Sequence, residues 1–417
     1  MIKSVWIDAR HLMVNEKLWG LTLLERNLRE LEIIGIEEAV VVTLKELQPL
    51  RHFQYSLPKK LTVSFKIANS SDVFESLRSE LQNTDDLILV LEGNSLNDRR
   101  ILIKLIKLDF SFGVISPVGN NRGSAAILSK SEVLLFLRNS SQNLTSILSA
   151  ALKNSKLQKL NLENFEKHII NLRREIDPFL ILVQDSKQLE EADRFLSQTV
   201  EKGVNDFVAK YIHPPLEFGA VRLLLSSPIT PNQITFFWIF LAALTVPLLA
   251  TGQLLLGLFL AAARNILDGV DGKLARLTLR FSKAGDLLDH ATDTLFDGAF
   301  YLALGWHFSG GDLNSTAANF TFILFISYCV EKIVPGVFKK IHKVEIYDYK
   351  AIDKFIRLVG SRINNNVWIL ILGTFLGLGK ATFFAVSIWM LMTAAWHTLR
   401  LIWVTWKFGV TKPALQG

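Results

Sequence analysis

The chain has 417 residues, half of them hydrophobic, with 46 Lys and Arg against 39 Asp and Glu, a net charge of +7 and a mean hydropathy of +0.29. That balance is too apolar for an ordinary soluble enzyme. A single cysteine, Cys329, set in an apolar segment, excludes a disulfide framework, a thiolate zinc site and a CxxC redox pair.

The apolar content is uneven, and it divides the chain into residues 1–200, a juxtamembrane stretch 201–231 and a membrane part 232–410. In the first part, β-rich runs at 4–8, 39–44, 61–67, 87–91 and 112–118 alternate with helical patterns at 22–34, 72–82 and 96–108. Such alternation predicts a soluble, Rossmann-like α/β layer with a largely parallel sheet. The N-terminus, MIKSVWIDAR, meets Asp8 before a signal-peptide core can form, so this part is expected in the cytosol. Residues 206–227 are expected to form an amphipathic helix on the membrane surface, with Lys210 and Arg222 on its polar side and Phe207, Val221 and Leu223, Leu224 and Leu225 facing lipid.

Pro231, in SSPITPNQIT, marks a helix entry. Six stretches then have the length and apolarity of spans, some only with polar ends: 232–251, 253–275, 286–307, 317–338, 366–379 with its flanks, and 380–406. The fold class expected is therefore an all-α six-helix transmembrane bundle preceded by a soluble α/β domain. The loops assigned to the cytosol hold Arg276, Arg280, Lys283, Lys339, Lys340, Lys343, Lys350, Lys354, Arg357 and Arg362, whereas those assigned outside hold only Lys380, as the positive-inside rule requires. Trp238, Trp306, Trp368, Trp403 and Trp406 lie near helix ends and suit interfacial anchoring.

Ionisable groups inside a span are a functional hypothesis by default. Asp268 and Asp271 end the second span at i, i+3, and Asp289 and Asp293 begin the third at i, i+4, so each pair shares a helical face. An antiparallel hairpin brings the pairs level. Four facing carboxylates repel unless protons or cations intervene, and hard divalent ions with oxygen ligands answer that need. A pair of Mg²⁺ or Mn²⁺ ions clamps a pyrophosphate for in-line displacement. Gly272 and Ala275 leave the helix surface bare for a nucleotide, and Arg276 reaches its phosphates. The basic loop 339–362 serves topology and attraction to anionic lipid; within it Arg357 and Arg362 are the first candidates to bind a phosphate.

These residues resemble the signature of the CDP-alcohol phosphotransferases, D-x2-D-G-x2-A-R-x8-G-x3-D-x3-D, at every fixed position: Asp268, Asp271, Gly272, Ala275, Arg276, Gly285, Asp289 and Asp293. The resemblance covers about 205–407. It implies that Asp268, Asp271 and Asp289 bind a metal pair, which Asp293 joins while acting as general base, and that Gly272, Ala275, Arg276 and Gly285 line the CDP site. It further implies transfer of a substituted phosphoryl group from a CDP-alcohol, CDP-diacylglycerol or CDP-inositol, to an acceptor alcohol with release of CMP, as in phospholipid biosynthesis. A homodimer in the lipid bilayer is implied, and no nucleic-acid partner.

The stretch WGLTLLERNLRELEIIGIEEAVVV resembles the early part of sugar-nucleotide or cytidylyl transferases, but DARHLMVNEK replaces their glycine-rich phosphate loop and Asn94 stands where a metal-binding Asp belongs. Without an anion nest and one carboxylate, nucleotidyl transfer has little chemistry left, so an inactive domain is expected. The whole chain resembles fusions of an inositol-phosphate cytidylyltransferase to a di-inositol phosphate synthase. The competing class is a noncatalytic membrane nucleotide sensor, against which the intact aspartate quartet argues.

Overall fold

The computed structural model describes residues 2–54, 57–67, 87–115, 123–129, 148, 152, 158–169, 172–281 and 283–408; for 112, 114, 115, 164, 283–290 and 408 the description is of backbone alone. Two compact units are present. One comprises Met1–Lys167, Ile176–Thr199 and Leu277–Leu279, the other His168–Glu175, Val200–Arg276 and Arg280–Gly417.

The first unit is built on a seven-stranded sheet in the spatial order Gln158–Lys159, Phe112–Ile115, Ser124–Ser129, Leu87–Glu92, Ser4–Ala9, Glu38–Thr43, Thr62–Ile67. Only Ser124–Ser129 runs against its neighbours; the other pairings are parallel. Its central strands read as apolar runs because both faces are covered, and Val5, Ile7, Val41, Leu89 and Leu91 are fully buried. Helix α1 (Leu23–Ile34) starts where Thr22 accepts the Glu25 N–H at 3.1 Å. It stops at Gly35, whose φ of +91° closes the last turn at no steric cost. Helix α2 (Arg99–Leu105) is shorter than the expected 96–108, because Ser95–Asn97 pairs antiparallel with Leu180–Leu182, a partner 85 residues away in register at Ile181 and Leu96. Residues 72–82 and 116–118 lie outside the described residues. Helix α3 (Ser186–Thr199) completes this unit.

The second unit is helical apart from the short hairpin His168–Ile169 with Arg174–Glu175. Its helices are α4 (Phe207–Tyr211), α5 (His213–Leu224), α6 (Pro231–Ala250), α7 (Leu254–Thr278), α8 (Lys283–Ser309), α9 (Thr316–His342), α10 (Ala351–Val359), α11 (Ile363–Phe375) and α12 (Gly379–Phe408). A capping box opens α6: Thr230 accepts the Gln233 N–H, the Gln233 side chain takes the Thr230 N–H at 2.8 Å, and Pro231 fills the first turn. Helices overlie the six stretches read as spans, although 366–379 is met only by the short α11. Three of them, Pro231–Ala250, Thr316–His342 and Gly379–Lys407, are long and apolar enough to cross a membrane by length and composition. Helices α7 and α8 carry the acidic signature, and α11, with 13 residues, reaches only about 20 Å.

Trp238, Leu249, Leu258, Phe300, Tyr301, Leu324, Phe338 and Phe383 are buried inside this unit, while Phe236, Phe322, Phe375 and Trp406 stand on its outside. That inversion of large apolar side chains onto the outer surface suits lipid rather than water.

Candidate active site

Helix α7 sets Asp268 and Asp271 almost one turn apart. Asp271 is buried and accepts hydrogen bonds at a single oxygen, Oδ2, from Thr235 Oγ1 at 2.5 Å and Trp238 Nε1 at 2.9 Å. Both donors come from α6, at positions three apart and therefore on one face. Trp238 is fully buried and does not serve as the interfacial anchor expected from its sequence position. One turn ahead of Asp268, buried Arg264 forms an ion pair with Asp293 of α8. Its guanidinium is stacked 4.4 Å from the Trp238 ring centroid and 4.6 Å from that of Phe296, and Nη1 donates to Asn265 Oδ1 at 3.0 Å. Asp268 acts electrostatically on both Arg264 and Asp293. Asp297, a turn beyond Asp293, is held by Lys332 at 3.0 Å.

Arg264, one turn from Asp268, thus ties α7 to Asp293, whereas Asp271 turns toward α6. The side chains of Asp286, Asp289 and His290 lie outside the described residues, and Gly285 is described by its backbone. Among the described residues no three carboxylates or imidazoles gather as a metal-holding group. The carboxylates instead find the donors at hand, Arg264, Thr235 and Trp238. The donor chemistry still fits a hard divalent ion: carboxylate oxygens on two helices, with Asp271 oriented by two hydrogen bonds on one oxygen, as ligands are commonly fixed by the groups behind them.

The surface expected to be bare over Gly272 is covered. A Cβ there would lie 3.3 Å from Arg276 Nη1, because Arg276 folds back over the glycine while its Nε donates to the Val200 carbonyl at 2.9 Å. Ala275 is half-buried on the same helix. Lys273, between them, is not paired with the aspartates. It is buried against Glu217 of α5 and bonds Glu201 at 3.0 Å. The Glu217 carboxylate occupies the space over Gly269, where any Cβ would collide with it.

Glu217 and His213 place α5 inside the unit, so the single surface helix expected over 206–227 is corrected. Pro214 and Pro215 start a new helix after Ile212, and Val221 is fully buried rather than facing lipid. Phe207 and Leu223 do remain exposed. Burial is the main cause pushing the Glu217 carboxyl upward, against the opposing charge of Lys273.

Arg357 and Arg362 converge on a residue that the sequence did not single out. Their Cζ atoms lie 4.3 and 5.8 Å from the centroid of the Tyr347 ring. Arg357 is buried, and its Nε and Nη1, like Nε of Arg362, have no hydrogen-bond partner among the described residues. Burial, followed by the charge of Arg362, depresses Arg357 to about 10. Much of the remaining basic loop is neutralised locally: Lys339 pairs with Glu345 at 2.8 Å and Lys354 with Asp348 at 2.9 Å.

In the first unit, the loop after the strand Ser4–Ala9 spends its donors internally. His11 Nδ1 takes the Met13 N–H at 3.2 Å, the His11 carbonyl takes Val14 N–H at 3.2 Å, and Asp8 is chelated by Arg10 at 2.8 and 2.9 Å. Asn94 is buried and donates to the Val183 carbonyl at 2.7 Å. Thr235, Trp238, Arg264 and Tyr347 were not anticipated; a charge at position 264 within an apolar run was the one available signal.

Residues 228–411 match the CDP-alcohol phosphatidyltransferase family. The chain is 23% identical, over 94% of its length and 92% of the relative's, to the bifunctional IPC transferase and DIPP synthase of Aquifex aeolicus (strain VF5). It is 39% identical to the archaetidylinositol phosphate synthase of Pyrococcus horikoshii over 20% of this chain and 46% of that one. A crystal structure of the phosphatidylinositol phosphate synthase of Mycobacterium tuberculosis with CDP-DAG bound aligns over 49% of this chain and 97% of that one, at 16% identity and a TM-score of 0.36. The C-terminal half of the chain thus carries a CDP-alcohol phosphatidyltransferase domain.

Proposed function

We propose that the protein is a divalent-metal-dependent membrane phosphotransferase. It moves a substituted phosphoryl group from a CDP-alcohol, CDP-diacylglycerol or CDP-inositol, to an acceptor alcohol and releases CMP. The observation that carries this is the complete acidic signature spread over α7 and α8, with Arg264 of α7 ion-paired to Asp293 of α8. Asp268, Asp271 and Asp289 would hold two Mg²⁺ or Mn²⁺ ions, which neutralise the donor's pyrophosphate when bound.

The residues of the chain do the rest. Asp293 accepts the proton of the acceptor hydroxyl, whose oxygen forms a bond to the phosphorus distal to cytidine as that phosphorus parts from the oxygen of the leaving CMP. Arg264 orients Asp293, and Thr235 and Trp238 orient Asp271. Arg276 and the backbone at Gly272, Ala275 and Gly285 receive the nucleotide. Arg357 and Arg362 take a phosphate on the acceptor, for which inositol phosphate is the candidate. The names of the relatives support this choice, since one carries inositol phosphate in its product.

Helices α6, α7, α8, α9, α11 and α12 form the membrane bundle, with the active site and residues 1–200 on the cytosolic side, and the protein is a homodimer. Residues 1–200 carry no nucleotidyl transfer, a reading supported by the loop after the first strand, which turns several of its N–H groups on itself. The test is to supply purified protein in lipid vesicles with CDP-diacylglycerol or CDP-inositol and a panel of free and phosphorylated polyols, and to identify products by mass. A diester product with one equivalent of CMP is expected; CTP consumption by the protein, or no CMP with any pair, would overturn it.

A further inference from the structure

We propose that Arg173 and Lys202, which precede the family domain, complete one anion site with Arg357 and Arg362, and that this site selects acceptors bearing a phosphomonoester. The inference rests on the reaction proposed above and adds two residues to it.

Three guanidinium groups surround one ring: Arg357, Arg173 and Arg362 lie 4.3, 5.7 and 5.8 Å from the Tyr347 centroid. Arg173 reaches it from the hairpin His168–Ile169 with Arg174–Glu175. That hairpin is clamped within the second unit by His168 against Asp348 at 2.5 Å and by the Gly203 N–H on the Leu172 carbonyl at 2.8 Å. Arg173 adopts a φ of +50°, a left-handed conformation that L side chains rarely hold without a structural reason. Gly203 admits this turn, since a Cβ there would press into the Arg173 carbonyl.

Lys202 is solvent-accessible yet closely flanked by protein. Its ammonium is depressed by burial first, then by the charges of Arg276 and Arg173, with Asp268 opposing and Arg357 adding to the depression. Its neighbour Gly203 bonds the Leu172 carbonyl, next to Arg173, so Lys202 lies at the hairpin end of the cluster.

Among the described residues the carboxylates beside the arginines stand at ion-pair rather than hydrogen-bond distance. Glu345 is 3.7 Å from Arg173 and already bonds Lys339, and Glu331 is 3.9 Å from Arg362 and already bonds His397 at 2.6 Å. The open donors on Arg357 and Arg362 need acceptor oxygens. A phosphomonoester brings three such oxygens and nearly two negative charges, which a free hydroxyl does not. The donor's diphosphate is less suited, because it needs carboxylate-held cations and, among the described residues, none of these four has a carboxylate in hydrogen-bond reach.

The experiment measures CMP release by the full-length protein with myo-inositol 1-phosphate or myo-inositol as acceptor and inorganic phosphate as competitor. Arg173→Gly removes the guanidinium and relieves the left-handed backbone, so it should unfold at the same temperature or higher. It should also raise the acceptor KM at least tenfold, weaken inhibition by inorganic phosphate in parallel, and leave kcat and the donor KM within about twofold. Lys202→Gln should do the same, and Arg173→Lys should recover part of the affinity. If Arg357→Gln raises the acceptor KM while Arg173→Gly and Lys202→Gln leave it unchanged, the inference falls and the proposed reaction stands. If the wild type uses no phosphorylated acceptor and inorganic phosphate does not compete, both fall.

Discussion

Replacing Lys273 with methionine tests what holds the signature helix in place. The Lys273 side chain is 7% exposed, lies between Glu217, also 7% exposed, and Glu201 at 3.0 Å, and has its ammonium 4.3 Å from the Phe218 ring centroid. Methionine keeps the stem and removes the charge, which leaves Glu217 buried without its bonded counter-charge. Losing one partner of a buried pair costs about 3–5 kcal/mol. Glu201, at 29% exposure, can rehydrate and adds about 0–1 kcal/mol. Because burial already raises the Glu217 carboxyl and Lys273 is the chief opposing influence, Glu217 takes up a proton in the variant and the loss falls at the lower end. About 3 kcal/mol corresponds to a Tm roughly 6–12 °C lower for a unit of this size.

The double variant Lys273→Met, Glu217→Met has no orphan charge and should regain more than half of that loss. Glu217→Gln alone should be mild, since Lys273 keeps Glu201. Tryptophan fluorescence during thermal unfolding of the detergent-solubilised protein reads all four. A Lys273→Met variant within about 1 kcal/mol of wild type, or a double variant less stable than the single, would refute the reasoning.

Three further outcomes follow from the same geometry. Thr235→Val with Trp238→Phe strips both donors from Asp271, and the Mg²⁺ concentration giving half-maximal CMP release should rise about 10–100-fold with the fold intact by circular dichroism. Asp293→Asn should slow turnover by about 10²–10⁴-fold while donor binding, followed by calorimetry, is spared. His213 is 1% exposed, accepts the Trp368 indole N–H at 3.2 Å, and is lowered by burial from 6.5 to about 4, with Asp206 opposing and Lys273 adding to the shift. The unfolded chain therefore binds the extra proton between those values, so this stabilisation is complete above about pH 6.5 and is lost as pH falls toward 4, by about 2 kcal/mol at pH 5. Glu217, 3.8 Å away and shifted upward, titrates with the opposite sign, so the comparison is wild type against His213→Gln at pH 7.5 and 5, the variant losing less.

Local patterns in the sequence were enough for elements whose causes are local. Helix α1 lies between Thr22 and Gly35, the buried strands read as apolar runs, and α6 begins at its Thr-Pro-x-Gln cap. The acidic signature was legible for the same reason, since its spacing is set by one helix turn. What was not legible depends on partners distant in sequence. The strand Ser95–Asn97 exists because Leu180–Leu182 pairs with it, so residues at its start do not join α2. Trp238 reads as an anchor until Asp271, 33 residues on, claims its N–H. Val221 reads as lipid-facing until the buried pair of Glu217 and Lys273 turns α5 inward. Arg173 looks like one charge among many until a left-handed turn aims it at Tyr347.

The most direct measurement is CMP release from a CDP-alcohol by the purified protein in vesicles, with an acceptor present, as free divalent cation is titrated from chelator excess to millimolar Mg²⁺ or Mn²⁺. CMP should appear only with cation and acceptor together, and Asp268→Asn should abolish it. Equal release in chelator, or an Asp268→Asn variant as fast as wild type, would contradict a reaction run between the carboxylates of α7 and α8.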